Sequence, residues 1–121
     1  MDCPFCKIPA EKFITESELA FAIGDIHPVS KGHSLVIPKV HTENYFDLKR
    51  EQKIACWDLV SELKVILQER YNPGGYNVGL NINRIAGQSV LHAHIHIIPR
   101  YSGKSGGNFS IENMASKLFS E

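Results

Sequence analysis

Three histidines alternate with apolar residues late in the chain, and no other feature limits the possible folds as strongly. His92, His94 and His96 lie within residues 90–98, a stretch that is otherwise apolar. Successive side chains of a β-strand point to opposite faces, so this spacing predicts a strand whose imidazoles share one face. The alternate positions then face an apolar core, and Pro99 ends the predicted strand.

The remaining sequence predicts an α+β domain with a mainly antiparallel sheet. Short apolar runs predict strands at 12–15, 19–24 and 33–37, and strict alternation predicts another at 76–83. Apolar residues recur at helical spacing between positions 50 and 71, namely Cys56, Val60, Leu63 and Leu67. A weaker helical pattern covers 111–118. We therefore expect a single domain over residues 1–121 with five strands, one long helix and a short C-terminal helix.

Charge and hydropathy exclude several classes of function. The chain of 121 residues has 13 Lys and Arg against 13 Asp and Glu, so no net charge attracts duplex nucleic acid or an anionic membrane. The longest apolar run near the start, residues 19–23, is far too short for a secretory signal core or a membrane span. We expect a soluble cytoplasmic protein with neither a nucleic-acid nor a membrane partner.

Two kinds of chemistry explain the three imidazoles better than a solvent-facing surface does. Neighbouring histidines can chelate a catalytic metal ion, or the central His94 can act as a nucleophile. Residues 71–110 contain no Asp or Glu that would complete a metal site. Neutral groups suited to phosphate oxygens precede the triad instead. Gly87 permits close backbone approach, Gln88 and Ser89 supply donors, and Asn81 and Asn83 offer amides from the preceding strand. The sequence therefore favours the nucleophile.

Cys3 and Cys6 form a second candidate site at the start of the chain. A Cys-x-x-Cys pair in an intracellular protein indicates metal or redox chemistry before it indicates a disulfide. The redox hypothesis is weak, because only two residues precede Cys3 and leave no room for the strand that such a motif follows. A structural zinc site completed by two distant histidines stays open, as does a pair of unligated surface thiols.

These motifs resemble the signature of the histidine triad (HIT) nucleotide hydrolases and transferases. The resemblance is carried by Gly87-Gln-Ser, by the His-x-His-x-His run with the two apolar residues after it, and by the segments 22–26 and 32–41. It covers about residues 3–101. It implies a HIT-like α+β fold and a homodimer joined through the long helix and the strand before the triad, here about 50–71 and 76–82.

The resemblance also implies roles for individual residues. His94 would attack the α-phosphorus of a nucleoside phosphate derivative and form a covalent nucleotidyl-histidine that water then hydrolyses. His96 would help to protonate the leaving group, and His33 would pack beside the triad. Phosphate oxygens would contact Asn81, Gly87, Gln88 and Ser89, the ribose hydroxyls would contact Asp25, and a purine base would occupy an apolar slot formed by Ile23, Ile26 and Leu35.

A structural zinc ion is implied in addition. Zinc-carrying members of the family use a Cys pair, here within about residues 1–8, a histidine after a Pro-x-x turn and the first histidine of the triad, which correspond to Cys3, Cys6, His41 and His92. The leaving group stays open between the amine of a phosphoramidate and the nucleotide of a dinucleoside polyphosphate. The alternative hypotheses are a zinc hydrolase with a catalytic metal on the three triad histidines and a non-catalytic nucleotide-binding regulatory module.

Overall fold

Five strands and one long helix make up the part of the chain that the computed structural model describes, residues 3–102. The strands are Thr15–Glu16 (β1), Ala20–Gly24 (β2), Ser34–Pro38 (β3), Gly75–Gly79 (β4) and Ile95–Arg100 (β5), and the helix α1 covers Arg50–Tyr71. All strand pairs are antiparallel, in the order β1-β2-β3-β5-β4. The predicted α+β class, antiparallel sheet and long helix are confirmed, whereas the helix predicted at 111–118 lies outside the described residues.

Local signals define both ends of α1. At its start the Gln52 side chain accepts a hydrogen bond from the backbone N–H of Lys49 at 2.8 Å, as in a capping box. At its end Asn72 has a left-handed conformation with φ 49°, and Pro73 cannot continue the helix. One side of α1 is buried through Cys56, Leu59, Leu63 and Leu67, while the predicted Val60 is only half-buried. Among the described residues, no helix has both the length and the apolar character that crossing a bilayer requires.

The two faces of the sheet have different coverings. α1 packs against one face, whose buried side chains come from alternate strand positions: Ala20, Ala22, Val36, Ile95 and Ile97. The opposite face carries Phe21, Ile23, Leu35 and Ile37, and the N-terminal segment packs on it through Phe5, Ile8 and Phe13. His96 is the cross-strand partner of Leu35, so it belongs to this helix-free face.

The strand predicted for residues 90–98 begins later than the alternation indicates. β5 starts at Ile95, so His96 lies in the strand while His92 and His94 lie in the irregular segment before it. The backbone N–H of Ala93 donates to the carbonyl of Thr42 at 2.7 Å instead of to a strand partner. The prediction that His92, His94 and His96 all lie on one strand is therefore wrong.

Other element ends also differ from the predictions. β5 continues through Pro99 to Arg100. Only residues 95–97 of β5 pair with β3, so the missing N–H of Pro99 removes no hydrogen bond to that strand. The alternating pattern 76–83 forms a strand only up to Gly79, where the pairing of β4 with β5 ends opposite His96. The pattern at 12–15 gives a short 3-10 turn, Ala10–Lys12, followed by β1. The strands predicted at 19–24 and 33–37 are correct to within one residue at each end.

Candidate active site and metal centre

A cleft of about 280 Å³ opens on the helix-free face of the sheet. Seven residues that the sequence assigned to nucleotide binding or catalysis line it: Ile23, Asp25, Ile26, Leu35, Ser89, His94 and His96. Residues that the sequence did not assign also line it, chiefly Phe5 and Ile8 from the N-terminal segment. Apolar walls with a small number of polar groups are typical of small-molecule sites. The structure therefore brings together most of the predicted site.

The central histidine is held in one tautomer. The backbone carbonyl of His92 lies 2.7 Å from Nδ1 of His94 and can only accept, so Nδ1 carries the proton. The lone pair of the neutral ring is then on Nε2. Burial lowers the pKa of His94 below its ordinary value, and the side chain is almost fully enclosed. His94 is therefore a neutral imidazole at physiological pH, with its lone pair on Nε2.

The third histidine of the triad is oriented by hydrogen bonds that start at the backbone. The N–H of Val29 donates to Nδ1 of His33 at 3.0 Å, so the proton of this ring lies on Nε2. His33 Nε2 lies 3.0 Å from Nδ1 of His96, and donation across this contact leaves the proton of His96 on its own Nε2. Burial, together with the neighbouring rings of His94 and His33, lowers the pKa of His96 to about 3. His96 is therefore a neutral N–H donor beside His94.

Asp25 combines a structural contact with a position in the cleft. Its Oδ1 accepts a hydrogen bond from the backbone N–H of His27 at 2.8 Å, which is an Asx turn. Its Oδ2 lies 3.4 Å from Nε2 of His33. The turn alone explains an aspartate at this position, and the predicted contact with ribose stays a prediction.

The Gln88 side chain is oriented differently from what the sequence indicated. Its Nε2 donates to the carbonyls of Glu43 at 2.8 Å and Val90 at 3.0 Å, and its Oε1 accepts from the N–H of Asn83 at 2.8 Å. Both amide hydrogens are thus used within the protein, and neither is left for a phosphate oxygen. Gln88 instead holds the loop that presents Ser89 to the cleft.

Asn81 and Gly87 also lie behind the cleft wall. Nδ2 of the buried Asn81 donates to the carbonyl of Gly87 at 3.3 Å, and Gly87 has φ 100°, which favours glycine. Neither residue lines the cleft. Their predicted contacts with phosphate oxygens stay predictions, and in the structure they shape the turn before Ser89.

Two cysteines and two histidines converge beside the triad, as predicted from the resemblance: Cys3, Cys6, His41 and His92. His92 Nδ1 lies 3.3 Å from Cys3 Sγ, 3.6 Å from Cys6 Sγ and 3.2 Å from His41 Nδ1. Its Nε2 lies 2.8 Å from the carbonyl of Pro38, so the ring proton is on Nε2 and the lone pair of Nδ1 faces the thiols.

This donor set fits a tetrahedral metal ion. From ordinary zinc bond lengths, ligand nitrogens should be separated by about 3.3 Å, and a sulfur from a nitrogen by about 3.6 Å. The measured separations of 3.2–3.6 Å agree with these values. Two thiols with two imidazoles form a ligand set that zinc prefers in structural sites.

The three triad histidines do not converge on one point. Among the described residues, two groups have ligand atoms close enough to hold an ion, and His94 belongs to neither. The second group joins Asp25, His33 and His96, whose contacts are accounted for by the hydrogen bonds given above. The geometry thus counts against a catalytic metal held by His92, His94 and His96.

Phe5 lies between the two cysteines in sequence and contacts His94 in the structure, and the sequence did not predict this contact. The ring centroid of Phe5 lies 5.1 Å from that of His94 and 5.9 Å from that of His92, with edge-on geometry in both contacts. Its position between Cys3 and Cys6 was the available signal. A metal site that joins Cys3 and Cys6 to His92 brings Phe5 close to His94, two positions after His92.

The fold and the site define a class of α+β proteins that carry a histidine triad at the start of the strand β5. A family model described as "HIT domain" matches residues 7–103. The chain belongs to the HIT domain family.

Individual relatives show how close the similarity is. The chain is 41% identical over 111 residues to the adenosine 5'-monophosphoramidase hnt1 of Schizosaccharomyces pombe, covering 88% of this chain and 80% of the relative. It is 35% identical over 108 residues to the bis(5'-adenosyl)-triphosphatase of Dictyostelium discoideum, covering 89% and 72%. The crystal structure of a Zn-bound histidine triad family protein from Mycobacterium smegmatis superposes with a TM-score of 0.77 at 30% identity, covering 99% and 91%.

Proposed function

We propose that the chain is a nucleotide hydrolase or transferase that forms a covalent nucleotidyl-histidine on His94 and releases a nucleoside monophosphate. The observation that carries the proposal is the 2.7 Å hydrogen bond from Nδ1 of His94 to the carbonyl of His92 at the cleft. It places the lone pair on Nε2, and burial keeps the ring neutral at physiological pH. A neutral imidazole attacks phosphorus without a separate base.

In the first step, Nε2 of His94 forms a bond to the α-phosphorus while the bond from phosphorus to the leaving group breaks. The leaving group keeps the electron pair. A polyphosphate leaves as its anion, whereas an amine takes a proton from water. The intermediate is a nucleotidyl-imidazolium whose Nδ1–H stays on the carbonyl of His92. The Nε2–H of His96 donates to the developing negative charge, as a preorganised neutral donor.

In the second step, water attacks the same phosphorus and loses a proton to solvent. The bond between phosphorus and His94 breaks, and its electron pair returns to Nε2, so the starting tautomer is restored. His96 acts in both steps through the same N–H, because His33 occupies its other nitrogen. This differs from the role of proton donor that the resemblance implied for His96. Two successive displacements predict retention of configuration at phosphorus.

We place a purine nucleotide in the cleft. Its base would contact Ile23, Ile26 and Leu35, its ribose hydroxyls Asp25, and its phosphate Ser89. The names of the two relatives, a monophosphoramidase and a bis(5'-adenosyl)-triphosphatase, support an adenosine nucleotide and two classes of leaving group.

We further propose that Cys3, Cys6, His41 and His92 hold a structural zinc ion. The ion would supply bonds that tie the N-terminal segment to the segments around residues 41 and 92. His92 would coordinate through Nδ1 while its Nε2–H stays on the carbonyl of Pro38. The fit of the donor set and the Zn-bound relative from Mycobacterium smegmatis support this proposal.

A homodimer through α1 and β4 is part of the proposal. β4 is an edge strand of the sheet, so one side of it has no strand partner among the described residues. Val78 on β4 and Val65 on α1 are 42% and 57% exposed, so both elements offer apolar surface to a partner. Light scattering should give twice the chain mass for the native protein and the chain mass for Val78→Lys.

Covalent trapping tests the proposed function. The protein is incubated with adenosine 5'-phosphoramidates and dinucleoside polyphosphates and quenched in alkali, and the peptide containing His94 is analysed by mass. An adenylyl adduct is expected on that peptide and not in His94→Ala. Turnover without any adduct would contradict the covalent mechanism.

Two further measurements separate the alternative hypotheses. Metal content should stay at about one zinc per chain in His94→Ala and His96→Ala. Loss of zinc in those variants would instead indicate a catalytic metal on the triad. Tight binding of AMP without turnover of any substrate would indicate a regulatory module.

A further inference from the structure

The cysteine pair of the proposed metal site, Cys3 and Cys6, is unequally exposed. Cys6 is exposed to solvent, whereas Cys3 is buried, and Cys56, the remaining cysteine, is buried on the core side of α1. Oxidants react with a cysteine according to its thiolate character and its exposure. A metal ion would keep the sulfur of Cys6 deprotonated. A soluble oxidant would therefore react with this sulfur before the other two.

The backbone between the two cysteines is compatible with a disulfide. The N–H of Cys6 donates to the carbonyl of Cys3 at 3.1 Å, so the two residues are the ends of a single turn. The Cα atoms at the ends of such a turn lie within about 7 Å, and a disulfide spans about 4.4–6.8 Å between Cα atoms. The two sulfur atoms lie within 4.8 Å of each other. Formation of the bond therefore requires rotation of side chains and little movement of the backbone.

The residues inside this turn belong to the nucleotide cleft. Pro4 and Phe5 lie between the cysteines and line the cleft, and the ring of Phe5 contacts that of His94 with 5.1 Å between centroids. The metal site also includes His92, whose carbonyl accepts the hydrogen bond from Nδ1 of His94. Loss of the ion would therefore loosen two groups that contact His94.

We infer that the cysteine pair is an oxidation site, at which a peroxide forms a disulfide, empties the metal site and weakens nucleotide binding in the cleft. The inference rests on the zinc ion of the proposed function. The pair is the target of the oxidant here, which differs from the redox enzyme motif that the sequence disfavours. Once the disulfide has formed, neither sulfur is a thiolate, so only His41 and His92 remain as ligands and the ion is released.

The oxidation takes two steps. The Cys6 thiolate attacks one oxygen of hydrogen peroxide, so that an S–O bond forms, the O–O bond breaks and the hydroxide that leaves takes a proton from solvent. The Cys3 thiolate then attacks the sulfur of Cys6, so that the S–S bond forms, the S–O bond breaks and a second hydroxide leaves and is protonated. The two sulfurs together lose two electrons, and one peroxide is reduced to two molecules of water.

The test treats the zinc-loaded protein with hydrogen peroxide and makes three measurements. A chromogenic chelator should detect released zinc. After free thiols have been alkylated, the tryptic peptide of residues 1–7 should carry no alkyl group and should be lighter by two hydrogen atoms than its dithiol form. Calorimetry should show AMP binding about three- to tenfold more weakly, which corresponds to the loss of one aromatic contact. A phosphine reductant with added zinc should reverse all three changes.

Two variants separate the cysteines. Cys56→Ala removes the buried thiol of α1 and is the matched control, so it should respond to peroxide as the native protein does. Cys6→His keeps four side chains that can hold zinc but removes the exposed thiol. Its release of zinc should be at least about tenfold slower at the same peroxide concentration, because the thiol that remains beside the metal is buried. If Cys6→His does not hold zinc, the peptide mass of the native protein decides.

The outcomes separate this inference from the proposed function. Zinc that stays bound to the native protein after peroxide treatment, release without a disulfide, or equal release from Cys6→His would overturn the inference while the proposed metal site stands. An unchanged affinity for AMP after release would overturn the link to the cleft. A reduced native protein that neither holds nor takes up zinc would overturn the proposed metal site and this inference with it, whereas the His94 adduct tests the catalytic proposal independently.

Discussion

Replacing Gln88 tests whether this side chain supports a loop or contacts substrate. Gln88→Ala removes three hydrogen bonds, to the carbonyls of Glu43 and Val90 and from the N–H of Asn83. Each such bond contributes about 1 kcal/mol net, so the free energy of unfolding should fall by about 3 kcal/mol. A domain of this size typically has about 5–15 kcal/mol in total, so the variant should fold but melt roughly 10 °C lower.

Urea unfolding followed by the fluorescence of Trp57, the single tryptophan, measures this loss. Gln88→Glu keeps the acceptor for Asn83 but turns an oxygen toward the two carbonyls, so it should destabilise at least as much as Gln88→Ala. Gln68→Ala is the matched control, because Gln68 also makes three side-chain hydrogen bonds but lies on α1 and does not line the cleft. It should lower stability and leave the affinity for AMP unchanged.

The result that would refute the argument is a dissociation of stability from activity. If Gln88→Ala loses less than about 1 kcal/mol of stability while kcat/KM falls a hundredfold or more, the amide acts on the substrate directly. The role of Gln88 in holding the loop would then be wrong.

The remaining predictions concern packing, metal and pH. Gly32→Ala should lower the free energy of unfolding by about 2–4 kcal/mol, because φ is +89° and a Cβ would lie 2.8 Å from Cδ2 of Tyr71. In the control Gly24→Ala, the new Cβ would meet no atom within 4 Å. An equal loss of stability for both variants in urea unfolding would contradict this steric explanation. Removal of the proposed zinc ion by a chelator, or Cys3→Ser, should lower both the melting temperature and the affinity for AMP. An unchanged affinity in calorimetry would refute the coupling between the metal site and the cleft. Only the neutral ring of the proposed nucleophile His94 would attack, and burial lowers the pKa of this ring below 6.5, so kcat/KM should stay flat from pH 8 to 6.5 and decline only at lower pH. A decline centred above pH 6.5 would count against His94 as the nucleophile.

Local signals made the regular elements predictable. α1 was predicted over its full length, because apolar residues recur at helical spacing within the segment and Asn72-Pro73 directly follows it. β2 and β3 were predicted almost as well for the same reason. The buried side of α1 was less certain, and Leu59 in place of Val60 reflects where the sheet lies relative to the helix.

Contacts distant in sequence account for the errors. The strand at the triad begins only at Ile95 because Ala93 bonds to Thr42, and no local pattern reveals that contact. The orientation of Gln88 depends on the carbonyl of Glu43, 45 positions away. Phe5 lies in the cleft because Cys3 and Cys6, on either side of it in sequence, lie beside His92. Its position could have been inferred from the sequence only by first assuming that these residues form one site.

The sequence by itself determined the residue types at the site, the helix and most of the strands, because periodicity and end signals act over short distances. It also placed the candidate residues on segments that pair in the sheet. Only the tertiary structure decided what each histidine can do. The proton of His92 is positioned by Pro38, 54 residues away, and that of His96 by His33, 63 residues away. A tautomer is set by whichever donor or acceptor meets the ring, and folding alone brings those partners together.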